Sequence, residues 1–153
     1  MDLEDLYQDL LMDHFKNPRC KGCLGEPDSA CTMHNPLCGD NINLTISIGK
    51  GQKTDQKIDD IAFDGSGCSI SQASASLMAE LVKGKSLDEI KKYLTLFRQM
   101  MKEEVPELDL KELGDVAALG GVRKFSARIR CALLAWEALD RCVKEVSKKE
   151  VPS

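Results

Sequence analysis

Apolar residues in this chain repeat with two different periods, and this combination restricts the fold more than any other feature of the sequence. Steps of three and four residues, typical of amphipathic helices, cover residues 1–17, 69–82, 86–105, 110–119 and 126–148. Alternation of apolar and polar residues over 42–48 and an apolar run over 58–63 predict two strands that can pair as a hairpin. We therefore expect one α+β domain spanning residues 1–153, with a small antiparallel β-sheet packed against several helices.

Local signals place the boundaries of these elements. Asn17-Pro18 ends the N-terminal helix, and Ser86 with Glu89 predicts a capping box at a later helix start. Glycine, proline and asparagine interrupt both periods in residues 18–40, which are predicted to form an ordered loop. Gly120-Gly121 predicts a turn before the last helix.

The charge balance excludes several functional classes. Against 25 Asp+Glu the chain carries 21 Lys+Arg, a formal net charge of −4. Nucleic acids and anionic membranes require a concentrated positive field, so neither is an expected partner. The sequence also lacks a run of about 18 apolar residues, and its first residues are acidic where a secretory signal would be basic. We expect a cytoplasmic protein.

The chain is unusually rich in thiols for a cytoplasmic protein of 153 residues. Its seven cysteines are Cys20, Cys23, Cys31, Cys38, Cys68, Cys131 and Cys142. The odd count and the missing signal argue against a disulfide framework and favour metal binding or sulfur chemistry. The two histidines are His14, on the apolar face of the first helix and expected to be structural, and His34. Cys142 is expected to pack in the core.

Three short segments place thiols where they could share one ion. Cys38 and Asp40 are two residues apart in a glycine-containing loop, so both side chains can face the same side. Cys68 follows Gly65-Ser66-Gly67 at a predicted helix N-terminus, which stabilises a thiolate. Cys131 follows two arginines that can balance the negative charge. Taken singly, each cysteine could equally be a small buried hydrophobe, and these spacings are not a local zinc signature.

Four collinear motifs resemble the SufU/IscU family of iron–sulfur cluster assembly proteins over nearly the whole chain. They are Leu6–Arg19, the Pro36-Leu37-Cys38-Gly39-Asp40 loop, Phe63–Ser76 and Arg128–Trp136. The chain is more similar to the SufU branch than to the IscU branch. Arg130 stands where IscU proteins carry a ligand histidine, the Leu-Pro-Pro-Val-Lys chaperone motif is missing, and the segment between Cys68 and Cys131 is longer.

The resemblance implies a function and a ligand set. Cys38, Asp40, Cys68 and Cys131 would bind one Zn²⁺ tetrahedrally, and the protein would be a sulfurtransferase that accepts persulfide sulfur from a SufS-type cysteine desulfurase. A desulfurase histidine would replace one cysteine on zinc, and the freed thiolate would attack the persulfide. We assign this acceptor role to Cys38, since a glycine-bordered loop can move further than a helix. Arg128 would stabilise the persulfide or pair with Asp40, unless it is a solvated surface arginine.

Two other functions stay open at this point. One is a scaffold and carrier on which a [2Fe–2S] cluster is built and passed to downstream iron–sulfur assembly proteins, because thiolates suit both zinc and clusters. The other is a structural zinc module without a reactive thiol.

The predicted loop raises a separate question. Cys20, Cys23, Cys31 and His34 have metal-like spacing and could hold a second zinc ion. The alternative is that these residues are ordinary surface or half-buried thiols.

Overall fold

A computed structural model of the chain describes residues 3–36, 39–49, 56–103 and 105–149, and it has the expected α+β architecture. The elements are α1 (Leu3–Lys16), β1 (Ser29–Asn35), β2 (Asp40–Ile48), β3 (Ile58–Ser66), α2 (Ser69–Val82), α3 (Leu87–Lys102), α4 (Glu107–Leu113), a 3₁₀ helix (Gly114–Lys124) and α5 (Ser126–Lys149). The strands form one antiparallel sheet in the order β1-β2-β3.

The predicted loop over residues 18–40 is wrong in part, because Ser29–Asn35 forms β1. This strand pairs with β2 from Ser29 opposite Ile46 to Asn35 opposite Asp40. The alternation of buried and exposed positions is present, but polar Ser29 and Asn35 occupy buried positions beside Cys31. An apolar pattern therefore cannot reveal it. The strand matters because it places Asn35 next to the start of β2.

The other edge of the sheet is partly covered by the chain that follows α1. The N–H of Phe63 in β3 donates to the carbonyl of Cys20 at 2.9 Å, and the N–H of Gly22 donates to the carbonyl of Phe63 at 2.8 Å. These two bonds fix the Cys20–Gly22 segment against β3. Since β1 and β3 are the opposite edges of the sheet, Cys20 and Cys31 of the predicted loop lie at opposite edges.

Helices α2 and α5 cover the sheet and carry the core. Ile42, Leu44 and Ile46 of β2 are completely buried, and α5 packs on β1 and β2 while α2 packs on β3. Helix α3 docks on α5 through Phe97 and Trp136, whose stacked rings have centroids 4.3 Å apart and planes inclined by 10°. Aromatic pairs of this kind add to the stabilisation that burial already gives.

Helix boundaries follow the sequence signals with two exceptions. The helix predicted over residues 110–119 is divided, because α4 ends at Leu113 and the 3₁₀ helix begins at Gly114. The capping box is confirmed at the start of α3, where Ser86 Oγ accepts from the N–H of Glu89 and the Glu89 side chain accepts from the N–H of Ser86. The turn predicted at Gly120-Gly121 is wrong, because both residues lie in the 3₁₀ helix. Its buried residues Val116, Leu119 and Val122 recur every three positions, which matches three residues per turn. No helix within the described ranges is long and apolar enough to span a membrane.

Candidate metal centre

The fold brings three of the four predicted metal ligands together. Donor atoms of Asp40, Cys68 and Cys131 all lie within 4.8 Å of one another. Asp40 is the first residue of β2, Cys68 lies between β3 and α2, and Cys131 lies in α5. The site is therefore assembled by the docking of α2 and α5 on the sheet rather than by a local motif.

Asp40 links the sheet to the start of α2. Its side chain is 1% exposed, and Oδ1 accepts a hydrogen bond of 2.8 Å from the backbone N–H of Cys68. The second oxygen, Oδ2, lies 3.8 Å from the Cys68 Sγ. A carboxylate this deeply buried needs compensating partners, and one backbone donor supplies only part of that compensation. A bound cation would supply the rest.

Gly67 allows the strand-to-helix turn to pass directly over Asp40. Its φ of +149° lies in the region that side chains disfavour. A Cβ at this position would overlap Asp40 Oδ1 and would lie 2.9 Å from Ser71 Oγ. Cys68 follows as the N-cap residue of α2, and Ser71 Oγ donates to its carbonyl at 3.0 Å. The positive end of the helix dipole therefore acts on the Cys68 thiol, as the sequence predicts.

Cys131 enters the site from α5 and is completely buried. The position of α5 along α2 is fixed by Ser74 Oγ, which donates a 2.7 Å hydrogen bond to the carbonyl of Ala132. Asn35 Nδ2 donates to the Cys131 Sγ at 3.8 Å. Sequence reasoning missed Asn35, although it directly precedes the Pro36–Asp40 motif. An amide donor at this distance favours the negatively charged form of the sulfur.

These donors suit a thiolate-binding metal. In tetrahedral zinc with a Zn–S bond of about 2.3 Å and a Zn–O bond of about 2.0–2.2 Å, a sulfur and an oxygen ligand lie about 3.5–3.7 Å apart. The Cys68 Sγ–Asp40 Oδ2 distance of 3.8 Å is close to this separation. Two thiols and one carboxylate, of which two residues are buried, are suitable ligands for zinc. Thiolates are also the usual ligands of iron–sulfur clusters. The residues present therefore fit the implied metal.

The other predicted site residues stand as follows. Cys38 lies outside the described residues, so its roles as ligand and sulfur acceptor stay predictions. Arg128 is exposed in the first turn of α5, one turn before Cys131. Arg130 is also exposed, and with His34 and Glu137 it lines a cavity of about 350 Å³ next to Asn35. The first turns of α5 thus place two guanidinium groups close to Cys131 in the sequence.

The predicted second zinc site does not form among Cys20, Cys23, Cys31 and His34. All four are described, and no three of their donor atoms lie within 4.8 Å of one another. Cys20 lies at the β3 edge of the sheet, whereas Cys31 and His34 belong to β1. Within β1, Cys31 faces the core and His34 faces solvent. Strand formation by residues 29–35 is thus the physical reason that these ligands are separated.

Cys31 instead interacts with Cys142 in the core. Both thiols are buried between β1 and α5, and Cys142 Sγ donates weakly to the carbonyl of Leu44 at 3.9 Å. Burial raises the pKa of the Cys142 thiol well above its ordinary value, and the hydrogen bond with Cys31 raises it further. Cys142 is therefore a packing residue, as expected from its place on the last helix.

This environment predicts a strong difference in thiol reactivity. In the native protein, iodoacetamide at pH 8 should alkylate exposed Cys23 quickly and leave Cys142 unmodified. Raising the pH to about 9 should not change this result, since the elevated pKa keeps Cys142 neutral and burial excludes the reagent. Peptide mass spectrometry measures both rates, and the same reaction in denaturant is the control. Alkylation of native Cys142 at the rate of Cys23 would contradict its buried position.

Fold and site together define a small α+β domain with two thiols and a carboxylate placed where they can hold a metal ion. The chain belongs to the family described as NifU-like N-terminal domain, whose model matches residues 6–151. It is 43% identical to the zinc-dependent sulfurtransferase SufU of Bacillus subtilis, covering 97% of this chain and 95% of that protein. It is 42% identical to the iron–sulfur cluster assembly scaffold protein IscU of Streptococcus pyogenes, covering 93% and 85%.

A solved structure supports the same assignment. The crystal structure of FiSufU from Fervidobacterium islandicum AW-1 superposes with a TM-score of 0.79 at 29% identity, covering 93% of this chain and 99% of that one. The predicted membership of the SufU/IscU family is confirmed. The chain is an iron–sulfur cluster assembly protein of the IscU/SufU type.

Proposed function

We propose that the protein is a zinc-dependent sulfurtransferase that accepts persulfide sulfur from a SufS-type cysteine desulfurase. The observation that carries this proposal is the convergence of Asp40, Cys68 and Cys131 within 4.8 Å. Cys38 is proposed as the fourth ligand and as the acceptor. Zinc, when bound, would keep the thiols deprotonated and protect them from oxidation.

The transfer itself is a thiol–disulfide-type exchange. The Cys38 thiolate attacks the outer sulfur of the desulfurase persulfide, and a new S–S bond forms on Cys38. The S–S bond on the desulfurase breaks, and its cysteine leaves as a thiolate. No net oxidation or reduction occurs, so no further reagent is needed. The sulfur then passes from Cys38 to a downstream iron–sulfur assembly protein.

Residues around the site prepare it for this step. The hydrogen bond from the Cys68 N–H to Asp40 joins the start of β2 to the start of α2, so these two residues are held together before a partner arrives. Asn35 donates to Cys131 and favours its thiolate form. Arg128, exposed in the first turn of α5, is proposed to stabilise the negative charge of the persulfide. Cys38, which precedes Asp40 by two residues and is followed by Gly39, is the thiol proposed to exchange sulfur.

A scaffold function for a [2Fe–2S] cluster is the second candidate. The identity of 42% to a protein named as an IscU scaffold supports it nearly as well as the SufU relative supports sulfur transfer. Against it stands Arg130, which occupies the position of a ligand histidine in IscU proteins and adds positive charge. The metal that the purified protein holds separates these two candidates.

The test combines metal analysis with sulfur transfer. Protein purified without chelators should contain one zinc per chain, and a Cys38→Ala, Asp40→Ala double variant should lose it. A Cys38→Asp variant keeps a negatively charged ligand but cannot accept sulfur. We expect it to retain zinc and neither to stimulate the desulfurase nor to gain a sulfur atom by mass spectrometry. Cys23→Ser, which alters an exposed thiol outside the cluster, is the matched control and should behave like the wild type.

Other results would overturn the proposal. Iron with acid-labile sulfide in the purified protein would favour the scaffold. Equal stimulation of the desulfurase by wild type and by zinc-loaded Cys38→Asp would remove Cys38 from the acceptor role.

A further inference from the structure

We propose that His14, Glu80 and Asp115 form a second metal site, separate from the thiolate centre, that takes a divalent transition-metal ion such as Mn²⁺ or Fe²⁺. The three residues belong to α1, α2 and the 3₁₀ helix. Their donor atoms all lie within 4.8 Å of one another. At a rise of 1.5 Å per residue, Glu80 lies about 18 Å from Cys68 along the axis of α2. The two centres are therefore too far apart to share one ion.

His14 carries an unused donor atom that faces the two acids. The side chain is 1% exposed, and its Nδ1 lies 2.8 Å from Ser76 Oγ. Its other ring nitrogen, Nε2, is buried and has no hydrogen-bond partner among the described residues. The nearest charged oxygen is Glu80 Oε1 at 4.0 Å, beyond hydrogen-bond distance. Leaving this atom unsatisfied is costly, and an ion between His14 and the carboxylates would satisfy it.

Ser76 holds the imidazole in an orientation that suits metal binding. Its Oγ accepts from the backbone N–H of Arg19 at 2.8 Å and can also accept from His14 Nδ1–H. With Nδ1 protonated, the Nε2 lone pair is free to bind an ion. Metal-binding histidines commonly donate their second ring N–H to such a partner. Burial, and then the charge of Arg19, lower the pKa of His14, so the ring is neutral at neutral pH, as a metal ligand must be.

The two acids open the site to solvent and supply its negative charge. Glu80 Oε2 lies 3.6 Å from Arg19 Nε, which leaves Oε1 on the side of His14. Arg19 is also paired with Asp13 at 2.6 Å, so its charge is shared between two carboxylates. Glu80 and Asp115 line a cavity of about 240 Å³ that Lys85 also borders. Both acids are exposed, so an ion can reach their carboxylates from solvent without opening the core.

The donor set indicates the kind of ion. One imidazole nitrogen with two carboxylate oxygens suits first-row divalent ions whose remaining positions are filled by water. Mn²⁺ is the appropriate probe, because it prefers oxygen and nitrogen donors and competes poorly for thiolates. Zinc at the thiolate centre is kept fully loaded, so failure of this experiment would leave the proposed sulfur transfer unaffected.

The test is titration of the zinc-loaded protein with Mn²⁺, followed by the electron paramagnetic resonance signal of the free ion. We expect one bound Mn²⁺ per chain. Glu80→Gln and Asp115→Asn should each weaken binding about tenfold or more, since even the loss of an indirect partner typically costs about 10–100-fold. These acids are exposed, so their replacement should preserve the fold, unlike replacement of buried His14. Glu112→Gln, which changes an exposed acid paired with Lys92, should leave binding unchanged.

The two histidines provide an independent readout. In the proton NMR spectrum, the ring signals of His14 should broaden at low Mn²⁺, while those of exposed His34, assigned with a His34→Gln variant, should broaden only at higher concentration. Absence of binding at millimolar Mn²⁺ would overturn the proposal. Unchanged affinity in the Glu80→Gln, Asp115→Asn double variant, or earlier broadening of His34, would also overturn it.

Discussion

Replacing Gly67 with alanine is expected to destabilise the metal-free protein by about 2–4 kcal/mol and to abolish metal binding at the thiolate centre. The residue has a φ of +149°, and a Cβ there would overlap Asp40 Oδ1. The Asp40 side chain would have to move, and its 2.8 Å hydrogen bond from the Cys68 N–H would break. A buried carboxylate without its donor adds to the backbone penalty.

Gly84→Ala is the matched control for this prediction. Gly84 also has a positive φ, +82°, but a Cβ there would meet nothing within 4 Å. It should therefore show only the backbone cost, about 1 kcal/mol, and keep its metal. Urea unfolding of both metal-free variants and elemental analysis of both loaded ones provide the comparison. If Gly67→Ala is no less stable than Gly84→Ala and binds metal fully, the close packing against Asp40 is contradicted.

Truncation of Trp136 to alanine should cost about 3–5 kcal/mol, the range typical of large aromatic side chains removed from a core. Trp136 is fully buried and stacks on Phe97, so the variant loses the contact that joins α3 to α5 as well as its own buried area. Thermal unfolding followed by circular dichroism measures the loss. Fluorescence is unsuitable, because this is the single tryptophan of the chain.

A Trp136→Phe variant separates stacking from the polar indole group. Trp136 Nε1 is buried without a hydrogen-bond partner among the described residues, so phenylalanine removes an unsatisfied donor while keeping an aromatic ring against Phe97. We expect its stability to stay within about 1 kcal/mol of the wild type. Phe125→Ala, at a position 64% exposed, should be close to neutral. A Trp136→Phe variant as unstable as Trp136→Ala would show that stacking on Phe97 is not the main contribution.

The periodic elements of this fold could be predicted from sequence because their patterns are determined by local physics. The apolar residues of strand β2 alternate in the sequence because Ile42, Leu44 and Ile46 face the core, and the Ser86–Glu89 capping box satisfies its own helix N-terminus. Strand β1 escaped prediction because Ser29 and Asn35 occupy buried positions that an apolar pattern does not mark. Their burial depends on partners in other elements, such as Glu145, which accepts a 2.7 Å hydrogen bond from Ser29.

The site was predictable only through its motifs. Glycines beside Cys68 and the aspartate two residues after Cys38 marked candidate ligands, but spacing alone could not bring residues of β2, α2 and α5 together. The contribution of Asn35 to Cys131 depends on β1 and could not be foreseen. His14 was expected to be a structural histidine, and its bond to Ser76 agrees with that expectation. Its unpartnered Nε2, however, could be seen only in the folded chain.

Because the donors of the thiolate centre come from three separate elements, the centre exists only once the chain has completed its topology. When α5 has not docked, Cys131 is absent from the centre, and when β2 and β3 have not paired, Asp40 is not held beside Cys68. An ion that binds the finished arrangement and not the open chain shifts the folding equilibrium towards the native state. The fraction of chains that hold metal in a preparation would then equal the fraction that has reached the native fold, and metal binding would distinguish folded from incompletely folded new chains.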